Sequence, residues 1–109
     1  MKIAIVGSRD IIVADIGKYV SDGDEIVSGG AVGVDRCASE YAKKHGMKLT
    51  VFLPQYTRYG RAAPIVRNKE IVDYSDRIVV FWNGESKGAQ SVIQYAERRG
   101  KPCEVILCK

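Results

Sequence analysis

Short apolar runs alternate along this chain with segments in which apolar residues recur every three or four positions. The runs are typical of strands buried on both faces of a parallel sheet, and the spaced segments are typical of amphipathic helices. Strands are predicted over residues 2–6, 25–27, 48–53, 77–81 and 103–107. Helices are predicted over residues 12–20, 34–45, 64–74 and 89–99, and a loop rich in Tyr and Arg over 55–61.

This strict alternation of strand and helix predicts an α/β fold. Parallel strands joined by right-handed helical crossovers form a doubly wound sheet, and we expect five strands in the order 3-2-1-4-5. At 109 residues, the chain has the length of one Rossmann-like domain, residues 1–109. In such sheets ligands bind beyond the carboxyl ends of the strands, where the strand order reverses. Here that switch point lies between the first and fourth strands.

Composition narrows the class of protein. Apolar residues make up 46% and charged residues 28% of the chain, as in ordinary globular proteins. Since no apolar run approaches about 18 residues, neither a membrane span nor secretion is expected. The three cysteines are an odd number without metal-ligand spacing, and there is one histidine, so we expect reduced thiols, a cytoplasmic location and no metal site.

A net charge of +4 and a pI of about 9.0 suit anionic ligands. The basic residues are spread along the chain rather than massed, which favours a solvated basic surface over a nucleic-acid interface.

The most distinctive segment is the glycine-rich turn between the second strand and the next helix. Its candidate ligand-binding residues are Ser28, Gly29, Gly30, Ala31, Gly33 and Asp35. Glycines at a helix start leave the first amides uncovered, and those amides favour a phosphate or carboxylate. The spacing is neither G-x-G-x-x-G nor a P-loop. The alternative is a tight turn whose glycines only permit close packing of helix and sheet.

Two further polar turns follow the first and fourth strands and meet at the same predicted crevice. They contribute Gly7, Ser8 and Arg9, and Trp82, Ser86, Lys87 and Gly88. Arg9 and Lys87 supply positive charge, and Trp82 can stack on a base. The alternatives are a surface arginine, a packing aromatic and a helix cap at Ser86.

The ordered motifs Gly7-Ser-Arg9, Ser28-Gly-Gly-Ala-x-Gly-x-Asp35, Tyr59-Gly60 with Arg67-Asn68, and Phe81-Trp-x-Gly-x-Ser-x-Gly88 resemble the YspA/cpYpsA-related branch of the SLOG superfamily. The glycine-rich signature also resembles the Rossmann core of DNA-processing protein A, which binds single-stranded DNA. The resemblance implies a nucleotide or nucleotide-derived ligand, and it adds Arg67 and Asn68 to the candidate site.

Enzymes related to this superfamily are phosphoribohydrolases that use an arginine and a glutamate. Arg67 matches the arginine, but the glutamate position falls at Val92, and Gly84-Glu-Ser replaces the expected P-G-G. Asp35 and Glu85 are the carboxylates that remain as catalytic candidates beside Arg67.

These observations predict a domain that binds or senses a nucleotide such as ADP-ribose, NAD or a nucleoside monophosphate, with no cofactor required. The alternatives are an N-glycosidic hydrolase acting on the same ligand and, third, a single-stranded nucleic-acid binder. We also expect a homodimer, because a small sheet exposes two edges.

Overall fold

A computed structural model describes residues 1–12, 15–30 and 32–108 of the chain. In this part five parallel strands form one sheet in the order β3-β2-β1-β4-β5, which confirms the predicted fold. The strands are β1 (Lys2–Gly7), β2 (Glu25–Ser28), β3 (Lys48–Val51), β4 (Arg77–Trp82) and β5 (Cys103–Leu107). The register pairs Ala4 with Val27 on one side and with Ile78 on the other, so β1 lies at the centre of the sheet.

The third strand is shorter than predicted because its partner ends. Phe52 still donates its amide to the Ser28 carbonyl, at 2.9 Å, but Ser28 is the last residue of β2. After Ser28 the chain is no longer a strand, so β3 has no further strand residues to pair with.

The helices are α1 (Val34–Lys44), α2 (Tyr56–Tyr59), α3 (Ala63–Tyr74) and α4 (Lys87–Arg98). The prediction of a loop over 55–61 is wrong: α2 and a 3-10 turn (Gly60–Ala62) occupy most of it. The Gln55 carbonyl accepts the amides of Arg58 and Tyr59, which closes the short helix.

The predicted helix over residues 12–20 is also not observed. In the described part of this segment there is a 3-10 turn, Ile16–Lys18, while residues 13 and 14 lie outside the described residues. Gly17 lies so close to α1 that an added Cβ would be 2.7 Å from the Tyr41 hydroxyl. Glycine favours helix poorly, and this close approach lets a short turn bury Ile16, which is 2% exposed.

Two apolar layers hold the sheet. One contains Ile5, Ile26 and Phe81 under α1, and the other contains Val6 and Val80 of the sheet, which pack with Ile71 of α3 and Val92 of α4. In the described part of the chain no helix is both long and apolar enough to cross a membrane. Cys37, Cys103 and Cys108 are free thiols.

Candidate functional site

A cavity of about 140 Å³ opens between the first turns of α1 and α4, the body of α3 and the carboxyl end of β1. Because β1 lies between β2 and β4, this is the predicted switch point. The cavity brings together seven residues predicted from the sequence: Gly7, Arg9, Asp35, Arg67, Asn68, Ser86 and Gly88. Its apolar floor includes Val6, Ile71 and Val92.

Arg67 projects from α3 into this cavity and is half-buried. Its Nη1 donates to the Gly29 carbonyl at 2.7 Å, and its Nε donates to Asn68 Oδ1 at 2.9 Å. Burial lowers the pKa of the Arg67 guanidinium, and the charge of Asp35 acts in the opposite direction. The charge of Arg9 lowers the pKa of Arg67 further, so the two guanidinium groups repel each other across the cavity.

Asp35 is the acidic partner of this arrangement. It lies in the first turn of α1 and is 5% exposed. A Cβ built on Gly29 would come within 2.8 Å of Asp35 Oδ2 and 2.7 Å of Arg67 Nη1. Carboxylate and guanidinium therefore share the space beside this glycine.

Asn68 joins α3 to the first turn of α4. Its Nδ2 donates to Ser91 Oγ at 3.2 Å and to the Gly88 carbonyl at 3.5 Å. Ser91 in turn donates its hydroxyl to the Gly88 carbonyl at 2.8 Å. Ser91 was missed from the sequence, because a serine four positions into a helix pattern carries no local signal of a partner on another helix.

The first turn of α4 has one capped amide and one uncovered glycine. The Ala89 amide donates to Ser86 Oγ at 3.3 Å, so the predicted cap at Ser86 is confirmed. A Cβ added at Gly88 would meet nothing closer than Ser86 Oγ at 3.9 Å, and the φ of Gly88 is not positive. Neither packing nor backbone conformation requires glycine here.

The glycines of the 28–35 turn are different, because protein atoms fill the space around them. A Cβ at Gly30 would lie 2.7 Å from Leu53 Cδ2, and one at Gly33 would lie 2.5 Å from the Arg9 carbonyl oxygen. Both residues have positive φ, at 72° and 76°. Gly7 is likewise pressed against the Phe81 carbonyl. Close packing accounts for all three, and Ala31 lies outside the described residues.

The predicted serines at the strand ends point into the protein. Ser28 Oγ donates to the Asp35 carbonyl and accepts the Gly30 amide, both at 3.2 Å, and Ser28 is fully buried. Ser8 Oγ accepts the Asn83 amide at 3.2 Å. These hydroxyls shape the turns that line the cavity.

Three predicted residues lie elsewhere. Trp82 and Glu85 border a second cavity of about 830 Å³ at the ends of β4 and β5. The Trp82 indole N–H donates to the Ser86 carbonyl at 3.0 Å. Lys87 is exposed on α4 and is not among the residues that line either cavity.

Asn83 organises the β4–α4 turn and was also missed from the sequence. Its Oδ1 accepts the amides of Glu85 and Ser86, each at 2.8 Å, and its Nδ2 donates to Asp10 Oδ1 at 3.1 Å. The signal was present, because an asparagine that precedes a glycine, three residues before a helix cap, is typical of a side-chain-stabilised turn.

Among the described residues no group of three or more His, Cys, Asp or Glu side chains comes together to hold a metal ion. No protein-family model, curated protein or solved structure matches this chain. The resemblance to the SLOG superfamily therefore stays a prediction.

Proposed function

We propose that this domain binds a nucleotide or nucleotide derivative, with a phosphate group held in the 140 Å³ cavity between Arg67, Arg9 and the first turn of α4. The observation that carries the proposal is the arrangement of charge around Gly88. Two guanidinium groups and one carboxylate line the cavity, and Gly88 leaves the start of α4 open beside them.

The electrostatics of the cavity favour an anion. The first amides of a helix have no acceptor within the helix and carry the positive end of its dipole. The pKa of Arg67 is lowered mainly because the guanidinium is buried, and the charge of Arg9 adds to this effect, so a phosphate between the two guanidinium groups would stabilise both charges. Arginine also binds phosphate bidentately.

We place the phosphate on α4 rather than on α1 because of what surrounds the two sets of glycines. Protein atoms crowd Gly29, Gly30 and Gly33, whereas the position of a Cβ at Gly88 is open. The 28–35 turn contributes instead through Asp35 and through the carbonyl that holds Arg67.

Cavity size bears on how the ligand lies. Small-molecule pockets have volumes of about 300–1,000 Å³, and this cavity is smaller, at about 140 Å³. It accommodates the phosphate-bearing part of a nucleotide, while the rest lies in the open crevice. Candidates of this form are ADP-ribose, NAD and nucleoside monophosphates.

One arrangement also favours the second candidate, an N-glycosidic hydrolase. Asp35 lines the cavity with Arg67, whereas Glu85 borders the other cavity and Val92 occupies the floor. Of the carboxylates considered from the sequence, Asp35 alone is placed to stabilise positive charge developing on a sugar in this cavity.

The test is thermal unfolding with a panel of AMP, ADP-ribose, NAD and inorganic phosphate, followed by chromatography of each mixture. We expect stabilisation by at least one nucleotide, with the nucleotide recovered intact. Arg67→Ala removes the shift, while Arg61→Ala, at an exposed position on the 3-10 turn before α3, leaves it unchanged. Release of free base, lost in Asp35→Asn, selects the hydrolase instead. No shift with any nucleotide contradicts both.

We further propose that the domain is a homodimer formed through the β3 side of the sheet. Leu53 and Tyr56 are 61% and 58% exposed there, and Val51 lies beside them at the open edge. Large exposed apolar groups in one region are typical of an interface. Analytical ultracentrifugation tests this: we expect a dimer that Leu53→Lys converts to a monomer, while Ile65→Lys, an exposed apolar position on α3, does not. A monomeric native protein contradicts it.

A further inference from the structure

The second cavity has the size and position of a ligand site in its own right. Its volume is about 830 Å³, within the range of about 300–1,000 Å³ for small-molecule pockets. It lies at the carboxyl ends of β4 and β5, the edge of a parallel sheet at which ligands bind. The phosphate cavity has a separate lining, and the two meet at the β4–α4 turn.

The charge of this second cavity is opposite to that of the chain. The protein has a net charge of +4, yet the ionised side chains among the described lining residues are the carboxylates Asp10 and Glu85. Asn83 donates its Nδ2 to the Asp10 carboxylate, and its Oδ1 accepts the backbone amide of Glu85. The cavity therefore disfavours anions and attracts a cation.

An aromatic ring borders the same space. The Trp82 indole N–H donates to the Ser86 carbonyl at 3.0 Å, which holds the ring in place. Trp82 is half-buried and lines the cavity together with Ile11 and Leu107. Among aromatic side chains, tryptophan binds cations most strongly through its ring face.

We propose that this cavity is a second ligand site, which binds a small cationic aromatic molecule. The positive group lies near Asp10 and Glu85, and the ring lies against Trp82 in a cavity that Ile11 and Leu107 also line. Each feature selects a different property: the carboxylates select positive charge, and the indole with its apolar neighbours selects a flat ring.

Trp82 makes the site directly observable, because it is the one tryptophan of the chain. The experiment titrates the protein with the 1-methylnicotinamide cation and with neutral nicotinamide, and it follows tryptophan fluorescence. We expect saturable quenching by the cation and a dissociation constant about tenfold higher for the neutral ring, as one cation–π contact and exposed ion pairs allow.

Three variants connect the preference to the carboxylates. Glu85→Gln leaves the Asn83–Asp10 hydrogen bond in place and is expected to reduce the preference for the cation. Asp10→Asn with Glu85→Gln is expected to remove it, while Glu40→Gln, an exposed carboxylate on α1, retains it. Circular dichroism establishes that each variant is folded.

Two results overturn the proposal. One is quenching that rises linearly with the concentration of the cation and is the same in every variant, which is the behaviour of collisional quenching. The other is equal affinity for the charged and the neutral ring. Neither result bears on the phosphate cavity, since the nucleotide panel measures that cavity separately.

Discussion

The Arg67 guanidinium occupies the space beside Gly29 that a side chain at position 29 would need. Its Nη1 lies 2.7 Å from the Gly29 carbonyl oxygen and would lie 2.7 Å from a Cβ on the same residue. The glycine thus admits the arginine and its carbonyl orients it. Through its carbonyl, Gly29 holds a cationic side chain over the cavity, which is a role that the sequence did not predict.

Gly29→Ala is therefore expected to displace Arg67. Overpacking costs about 1–3 kcal/mol, and about 1 kcal/mol lowers the Tm of a domain of this size by roughly 4–8 °C. The nucleotide-dependent shift in Tm should weaken as well, because the guanidinium leaves its place. The measurement is thermal unfolding with and without the nucleotide found in the panel.

The double variant Gly29→Ala with Arg67→Ala serves as the control. Removing the guanidinium relieves the closer of the two contacts that a methyl group would make, the other being Asp35 Oδ2 at 2.8 Å, so the two substitutions should cost less together than the sum of each alone. Strict additivity would contradict the steric relationship between the two residues.

Gly88→Ala separates binding from stability. A Cβ at Gly88 meets no atom closer than 3.9 Å, so the fold tolerates it, and alanine in place of glycine stabilises a helix by up to about 1 kcal/mol. The same methyl group covers the amides at the start of α4, so we expect nucleotide affinity to fall at least tenfold.

The matched control is Gln90→Ala, an exposed position on the same helix that is not among the residues lining the cavity. It should leave both the Tm and the affinity close to those of the native protein. If Gly88→Ala binds nucleotide as well as the native protein, the phosphate does not lie on α4.

Sequence patterns predicted the sheet well because its strands are continuous apolar runs. Ile3, Ala4 and Ile5 are each at most 1% exposed, and such runs allow few alternatives to a central parallel strand. The order 3-2-1-4-5 then brought the polar turns to one edge. The helix predicted over residues 12–20, between β1 and β2, was wrong because apolar spacing cannot show that Gly17 must pack against Tyr41.

The site was only partly predictable for a related reason. A glycine in a sequence does not reveal whether a ligand or other protein atoms occupy the space that a side chain would fill. Glycines occur in both turns, but their surroundings differ in the structure: the space beside Gly30 is filled by Leu53, whereas the space beside Gly88 is open. Hydrogen bonds between distant elements, such as Asn68 to Ser91, likewise appear only when α3 and α4 are packed together.

Glu25 is expected to make stability depend on pH. It is 8% exposed, and its carboxylate accepts hydrogen bonds from Tyr74 and Thr50, at 2.5 and 2.7 Å, with Lys48 Nζ at 3.3 Å. The Tyr74 hydroxyl contributes most to lowering the pKa of Glu25 below its ordinary value of 4.5. A lowered pKa in the folded state stabilises the fold above the unfolded pKa, and this contribution disappears as the pH falls through the folded pKa.

Urea unfolding between pH 3 and 7 measures this effect. Glu25→Gln and Tyr74→Phe should both flatten the acid limb of the stability profile, whereas Glu40→Gln, which removes an exposed pair with Arg36, should not. An unchanged acid limb in Glu25→Gln would show that other carboxylates determine the loss of stability in acid.

Asn83 is expected to support both cavities at once. Asn83→Ala leaves the Glu85 and Ser86 amides without their acceptor and removes the hydrogen bond to Asp10. Losing such bonds at a half-buried turn costs about 1–3 kcal/mol. Asp10→Ala removes only the last of these contacts, at an exposed residue, so it should destabilise the protein much less.

Because the turn carries Ser86 on one side and Trp82 on the other, Asn83→Ala should weaken both the nucleotide-dependent Tm shift and the saturable quenching of Trp82. Weakening of one without the other would show that the two cavities do not depend on a common turn.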